Sequence, residues 1–217
     1  MPLPRGLYGI IDSSASPQRG HREITVSLLA AGVRALQLRA KDLSLEEIHG
    51  LVTELLPLIH QAQARLLVND HVEVARSFED VGVHLGQADG DPRLAREALG
   101  PRALIGCSTH NLDQVQFAQE LPIDYLGFGP VFSSAGKHRT AGDQRQAMEA
   151  VGTDLLSRAV YRSSLPIVAI GGINEENLSQ VLETGVHSVA VISAITKSDD
   201  PCAAALRIRK CMEKGSG

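Results

Sequence analysis

Two carboxylates end neighbouring apolar runs in the segment Leu66 to Asp89, LLVNDHVEVARSFEDVGVHLGQAD. Leu66-Leu67-Val68 runs into Asn69 and Asp70, while Val81 to Leu85 runs through Gly86-Gln87 to Asp89, with a helical stretch between them. If the runs are parallel strands one strand-helix unit apart, both acids lie at the same sheet edge, where strand ends open onto loops and helix N-termini. Two carboxylates with nearby oxygens, and without the His and Cys number that softer metals need, suit a hard cation such as Mg²⁺, whose shell is often completed by substrate phosphate. Singly, Asp70 fits a helix cap and Asp89 a turn equally well.

Gln37, Arg39 and Lys41 alternate after a second apolar run, so a period of two puts them on one side of the strand end. With Lys137 they supply cations opposite the acids, and a diphosphate with its metal satisfies both sets: Arg grips a phosphoryl group in bidentate fashion, Lys acts as a point charge. Each alone is an ordinary surface residue. Gly171-Gly172 and, one unit later, Ile192-Ser193 mark a second anion site of backbone N–H groups at a helix N-terminus, a place where barrels hold phosphate; alone, the glycine pair reads as a tight turn. Ser108 is placed to give a hydroxyl to phosphate. His84 and His110 lie near strand ends, suited either to a heterocycle and proton transfer or to structural hydrogen bonds. Cys107, with no base nearby, reads as core filler.

The elements that must carry these residues alternate along the chain. Predicted strands cover Leu7–Asp12, Val33–Leu38, Leu66–Val68, Val81–Leu85, Ala103–Gly106, Ile123–Gly127, Pro166–Ile170 and Ser188–Ile192. Helices fall between them: Gly20–Ala31; one opened by a Ser44/Glu47 capping box; His71–Phe78; one ending near Gly100-Pro101; one capped by Asn111; Asp143–Arg162 with an interruption at Gly152; one started by Asn174; and Pro201–Met212. Eight units at intervals of roughly 25 residues predict a single-domain (β/α)8 barrel over residues 1–217. The irregular stretch 128–142 is the lid candidate.

Composition narrows the partners. With 43% apolar residues, no Trp and seven Phe plus Tyr, the core must be Leu, Ile, Val and Ala, as layered parallel strands require. A net charge of −4 gives no basic footprint for nucleic acid or anionic membrane, so a small molecule is the expected partner. Three cysteines without C-x-x-C spacing, no apolar run near the roughly 18 residues of a membrane span and no signal-like start predict a cytoplasmic protein. Whether copies associate into a homo-oligomer stays open.

Gln37-Leu38-Arg39-Ala40-Lys41, Asn69-Asp70, His84-Leu85-Gly86-Gln87-Ala88-Asp89, Ser108-Thr109-His110, Gly127 to Phe132, Ala169 to Ile173 and Val191 to Ile195 together resemble the thiamine phosphate synthase family, which also contains thiazole tautomerases. The blocks match in order and nearly end to end. The resemblance implies that a hydroxymethylpyrimidine diphosphate is joined to a thiazole phosphate by a dissociative substitution. It implies that Gln37, Leu38, Arg39, Ala40, Lys41 and Asn69 bind the pyrimidine diphosphate. Asp70 and Asp89 match Mg²⁺ ligands, and Ser108 and Lys137 match further diphosphate contacts. Arg39, Lys41, Lys137 and Ser108 are then the catalytic set, stabilising the leaving group. Gly172, Ile192 and Ser193 match the thiazole phosphate site. The chain departs from the family at Ala40, where Glu is usual, and at Ser134-Ala135-Gly136-Lys137, where Thr-x-Thr-Lys is usual. A tautomerase and a non-catalytic binder of thiamine phosphates are the competing readings; Pro130, where the tautomerases carry His, favours the synthase.

Overall fold

The computed structural model describes residues 2–12, 19–133 and 149–214. Eight parallel strands close on one another in chain order, β1 (Gly6–Ile11), β2 (Ala35–Leu38), β3 (Arg65–Asn69), β4 (Gly82–Leu85), β5 (Ile105–Thr109), β6 (Tyr125–Phe128), β7 (Ile167–Ile170) and β8 (Ser188–Val191), with β8 pairing back to β1. Around them run α1 (His21–Ala30), α2 (Leu45–Gln61), α3 (Val72–Ala75), α4 (Pro92–Leu99), α5 (Leu112–Ala118), α6 (Gly152–Arg162), α7 (Leu178–Leu182), α8 (Ser193–Thr196) and α9 (Pro201–Lys214). The expected barrel is present.

Closure gives every strand an inner and an outer face, and alternation along the strand sorts the side chains between them. Leu7, Ile11, Leu36, Leu38, Leu66, Val68, Val83 and Leu85 pack outward against the helices, while Tyr8, Ile10, Ala35, Leu67, Tyr125, Val168 and Ala190 fill the lumen. Continuing the inner parity to the C-terminal ends brings up Asp12, Gln37, Asn69, His84 and Ser108. A polar rim thus sits on an apolar plug. The core is largely aliphatic, as expected from composition, and the lumen adds two tyrosines, Tyr8 and Tyr125, to its aliphatic side chains.

Tyr125 fits because its neighbour in register, Gly106, has no side chain: a Cβ there would lie 2.0 Å from the Tyr125 Cζ. The Ser44/Glu47 capping box opens α2 as predicted, with Ser44 Oγ accepting from Glu47 N and Glu47 Oε2 accepting from Ser44 N at 2.8 Å.

Four expectations need correction. β5 begins later and reaches Thr109, because its ladder to β6 runs from Gly106 to Thr109; Ser108 is therefore on a strand. Gly152 starts α6 with φ 73° and residues 149–151 are not helical, so the predicted helix is described only from Gly152 to Arg162; residues 143–148 lie outside the described residues. Asn174 does not start α7: its Oδ1 accepts from Glu176 N and Asn177 N, closing a turn, and the helix begins at Leu178 with Asn177 as the flanking residue. Finally, the start of the proposed lid is pinned to β7, with Val131 N donating to Ile170 O at 2.9 Å and Phe132 N to Gly171 O at 3.0 Å.

Gly106→Ala, which forces the Tyr125 ring out of its place, is expected to cost about 1–3 kcal/mol of stability. Gly20→Ala, where a Cβ meets nothing within 4 Å, is the near-neutral comparison. Urea denaturation of both variants checks this.

Candidate active site

Asp70 is the strained residue of the rim. It lies just beyond β3 with φ 67°, a left-handed conformation that costs an Asp roughly 1 kcal/mol, held by Asp70 N donating to His84 O at 2.9 Å and by the turn in which His71 N donates to Asn69 O. Its carboxyl lies close enough to Asp89 to feel that residue's charge. Asp89 arrives from the loop after β4 and folds back over Gly86, where a Cβ would sit 2.2 Å from Asp89 Oδ2. Burial first, and the Asp89 charge second, hold the Asp70 carboxyl above the usual carboxylate range; Lys41, whose Nζ is 3.6 Å from Asp70 Oδ2, pulls the other way. Among the described residues, no group of three or more His, Cys, Asp or Glu could hold a metal ion.

The Gln37-to-Lys41 block divides by parity. Gln37 is 4% exposed and faces the lumen, whereas Leu38, 1% exposed, packs in the outer core and offers a ligand its backbone alone. Ala40 is half-buried against the same outer core. Arg39 donates from Nη1 to the buried carboxylate of Asp12, and Lys41 faces Asp70. Asp12 was legible as an acid ending a strand; that it orients Arg39 depends on β1 and β2 being neighbours.

Ser108 is tied to the acid side of the rim. Its Oγ meets His84 Nε2 at 2.9 Å, and its carbonyl accepts from Gln87 Nε2 at 2.5 Å. His84 Nδ1 meets the Tyr125 hydroxyl at 2.8 Å, so both ring nitrogens have protein partners and the structural reading of His84 holds. Burial pulls its pKa down to about 4, with the Asp89 charge opposing weakly. His110 Nδ1 donates to Gly129 O at 2.6 Å, a bond within the loop scaffold. Cys107 is buried and its thiol pushed up to about 12, consistent with core filler.

On the opposite side, Gly171 and Gly172 have φ 103° and 64°, and a Cβ on either would collide with Pro130 or Phe132 backbone. The glycines allow the β6 loop to lie against the end of β7, and Gly172 O accepts from Asn177 Nδ2 at 2.9 Å. The expected cradle, with the glycine pair leading straight into a helix, is absent because α7 starts at Leu178. The helix N-terminus on this side belongs to the unpredicted α8, flanked by Ile192 and starting with exposed Ser193, while Ile192 packs against the lumen. Ser134, Ala135, Gly136 and Lys137 lie outside the described residues.

Three histidines shape the pH dependence. His84, His21 and His187 are all lowered by burial from 6.5. The unfolded chain takes up protons that the folded chain refuses, so the stability they give is fully present above about pH 6.5 and is lost as pH falls through the lowered values, about 4 for His84. Thermal melts across this range are expected to show the decline, with a shallower slope in His84→Gln. Asp70→Asn, which keeps a residue tolerant of positive φ and removes the repulsion with Asp89, is expected to raise the melting temperature in metal-free buffer.

The thiamine monophosphate synthase family model matches residues 7–195. The chain is 37% identical over 203 residues to the thiamine-phosphate synthase of Chloroflexus aurantiacus, covering 94% of this chain and 90% of that one. It is 41% identical over 195 residues to that of Archaeoglobus fulgidus, covering 90% and 87%. The structure of thiamine phosphate pyrophosphorylase from Pyrococcus furiosus superposes with a TM-score of 0.86 at 32% identity, covering 98% of this chain and 97% of that one. A 3-hexulose-6-phosphate synthase, at 14% identity and a TM-score of 0.63, shares the fold alone. With its barrel, its rim of paired acids and cations, and the match of nearly its whole length, this chain belongs to the thiamine monophosphate synthase family.

Proposed function

We propose that this transferase, a thiamine phosphate synthase by family, joins 4-amino-2-methyl-5-hydroxymethylpyrimidine diphosphate to hydroxyethylthiazole phosphate, or its carboxylate form, at the polar rim, giving thiamine phosphate and pyrophosphate. The observation that carries this reading is the strained strand end that brings Asp70 near the charge of Asp89 with Lys41 Nζ 3.6 Å from Asp70 Oδ2, two acids beside a cation. Two hard oxygen donors that repel each other fit Mg²⁺, which keeps several ligands from water and phosphate. Asp70 and Asp89 would hold it, and it would supply positive charge to the leaving diphosphate.

The chain's own residues do the remaining work. Arg39, fixed by Asp12, and Lys41 face the diphosphate, and Lys137, which lies outside the described residues, is assigned to it as well. Ser108 donates its hydroxyl to a phosphoryl oxygen. Asn69, Gln37 and the backbone of Leu38 and Ala40 border the pyrimidine. The C–O bond to diphosphate breaks with its electron pair leaving on oxygen, and the pyrimidine-stabilised cation is captured by the thiazole nitrogen lone pair. No protein nucleophile is needed, since both substrates are held in one mouth. The thiazole phosphate is assigned to Gly172, Ile192, Ser193 and residues 134–137. Free Cys107, Cys202 and Cys211, and the absence among the described residues of a helix long and apolar enough to cross a membrane, support placing the reaction in the cytoplasm.

The test supplies both substrates and Mg²⁺ and measures pyrophosphate. Release is expected, abolished by chelation, and reduced on the order of 10²-fold or more in Asp70→Asn and in Asp89→Asn. Isomerisation of the thiazole without pyrophosphate release would identify a tautomerase instead, and binding of thiamine phosphate with neither activity a binder. Since Asp70 is held above the usual carboxylate range, Mg²⁺ affinity is expected to fall as pH drops into that raised range, as titration calorimetry at several pH values would reveal.

A further inference from the structure

Two consecutive peptides after β7 have their carbonyls tied and their N–H groups unspent. Gly171 O accepts from Phe132 N at 3.0 Å, and Gly172 O accepts from Asn177 Nδ2 at 2.9 Å. A trans peptide sets its N–H opposite its C=O, so the first bond aims Gly172 N–H away from the β6 loop and the second aims Ile173 N–H away from Asn177. Among the described residues neither nitrogen has a hydrogen-bond acceptor. Successive backbone N–H groups in a tight turn, here with φ 103° at Gly171 and 64° at Gly172, are the donors an anion takes up.

The two holders differ in kind. Phe132 contributes its backbone, which no substitution removes. Asn177 contributes a side chain, half-buried just before α7, and its amide is engaged at both ends: Oδ1 accepts from Asn174 N at 2.9 Å while Nδ2 donates to Gly172 O. These two bonds fix which way round the amide lies and close residues 172–177 into one turn. Asn174 completes the turn, its Oδ1 accepting from Glu176 N and Asn177 N, and these bonds stay clear of the glycines.

We propose that Asn177 is a positioning residue for the phosphate of the second substrate: by holding Gly172 O it sets the direction of the Ile173 N–H, and with it the pair of donors that the phosphate meets at Gly172 and Ile173. Asn177 itself touches no substrate. The inference rests on the assignment of the thiazole phosphate to Gly172 in the proposed function, and it adds the Ile173 N–H to that site.

Asn177→Ala removes the donor to Gly172 O without adding charge, and Asn177→Asp removes it while keeping the acceptor for Asn174 N. Asn174→Ala loosens the same turn and leaves the donor in place. Thermal melts check that all three fold. The readout is the ratio of the dissociation constants of thiamine and thiamine phosphate, measured by titration calorimetry, since these ligands differ in the phosphate alone. Wild type is expected to prefer thiamine phosphate. Both Asn177 variants are expected to lose about tenfold of that preference, and Asn174→Ala to keep it within about twofold, whatever its melting temperature. In turnover, Asn177→Ala is expected to raise KM for the thiazole phosphate about tenfold and to leave kcat and the KM for the pyrimidine diphosphate within about twofold. Equal affinity of wild type for the two ligands would overturn the phosphate assignment and the inference with it. If wild type prefers thiamine phosphate but Asn177→Ala keeps the preference, or Asn174→Ala loses it equally, the role of Asn177 alone fails; a loss confined to Asn177→Asp is charge repulsion and counts against it as well.

Discussion

A polar group inside a closed barrel of parallel strands is cut off from bulk water, so its partner must come from another strand. Among the described residues no buried side-chain nitrogen or oxygen lacks a partner. The lumen meets this constraint by linking strands: Tyr8 of β1 to Tyr125 of β6, Tyr125 to His84 of β4, and His84 to Ser108 of β5. The same side chains that plug the barrel therefore set the orientation of groups at its mouth. The missing side chain of Gly106 is what makes room for this arrangement.

The rim beyond the plug obeys the opposite economy. Asp70 adopts a left-handed conformation and faces a second acid, both unfavourable for the protein alone. Lys41 offsets part of the repulsion, and a divalent cation would offset more. Strain and like-charge contact at one strand end, over a fully satisfied lumen, are the signature of a site organised for a ligand. The buried Asp12 beneath Arg39 has the reverse role, holding a cation in place by giving it a fixed partner.

How much was readable in advance follows from the range of each interaction. The eight strands and most helices were legible because apolar runs, caps and glycines act within a few residues, and the Ser44/Glu47 box formed as its spacing required. The start of α7 was missed because Asn174 and Asn177 tie into a turn before the helix: Asn174 Oδ1 accepts from Glu176 N and Asn177 N, and Asn177 Oδ1 accepts from Asn174 N. The α8 turn is four residues long, too short for a periodic signal. The segment 129–132 reads as a loop in sequence, yet its backbone bonds to β7 across more than thirty intervening positions, beyond the reach of local pattern.

The sequence by itself determined the barrel, the order of its strands and the set of polar residues delivered to one rim, since alternation along a strand and regular spacing of units are local properties that closure converts into place. Tertiary structure alone decided the partners: that Asp12 holds Arg39, that Asp70 lies near the charge of Asp89, that Leu38 turns away from the mouth, and that Tyr8 and Tyr125 connect through His84 to Ser108. These contacts depend on the lateral neighbours and register of strands distant in the chain, fixed only when the eighth strand pairs with the first.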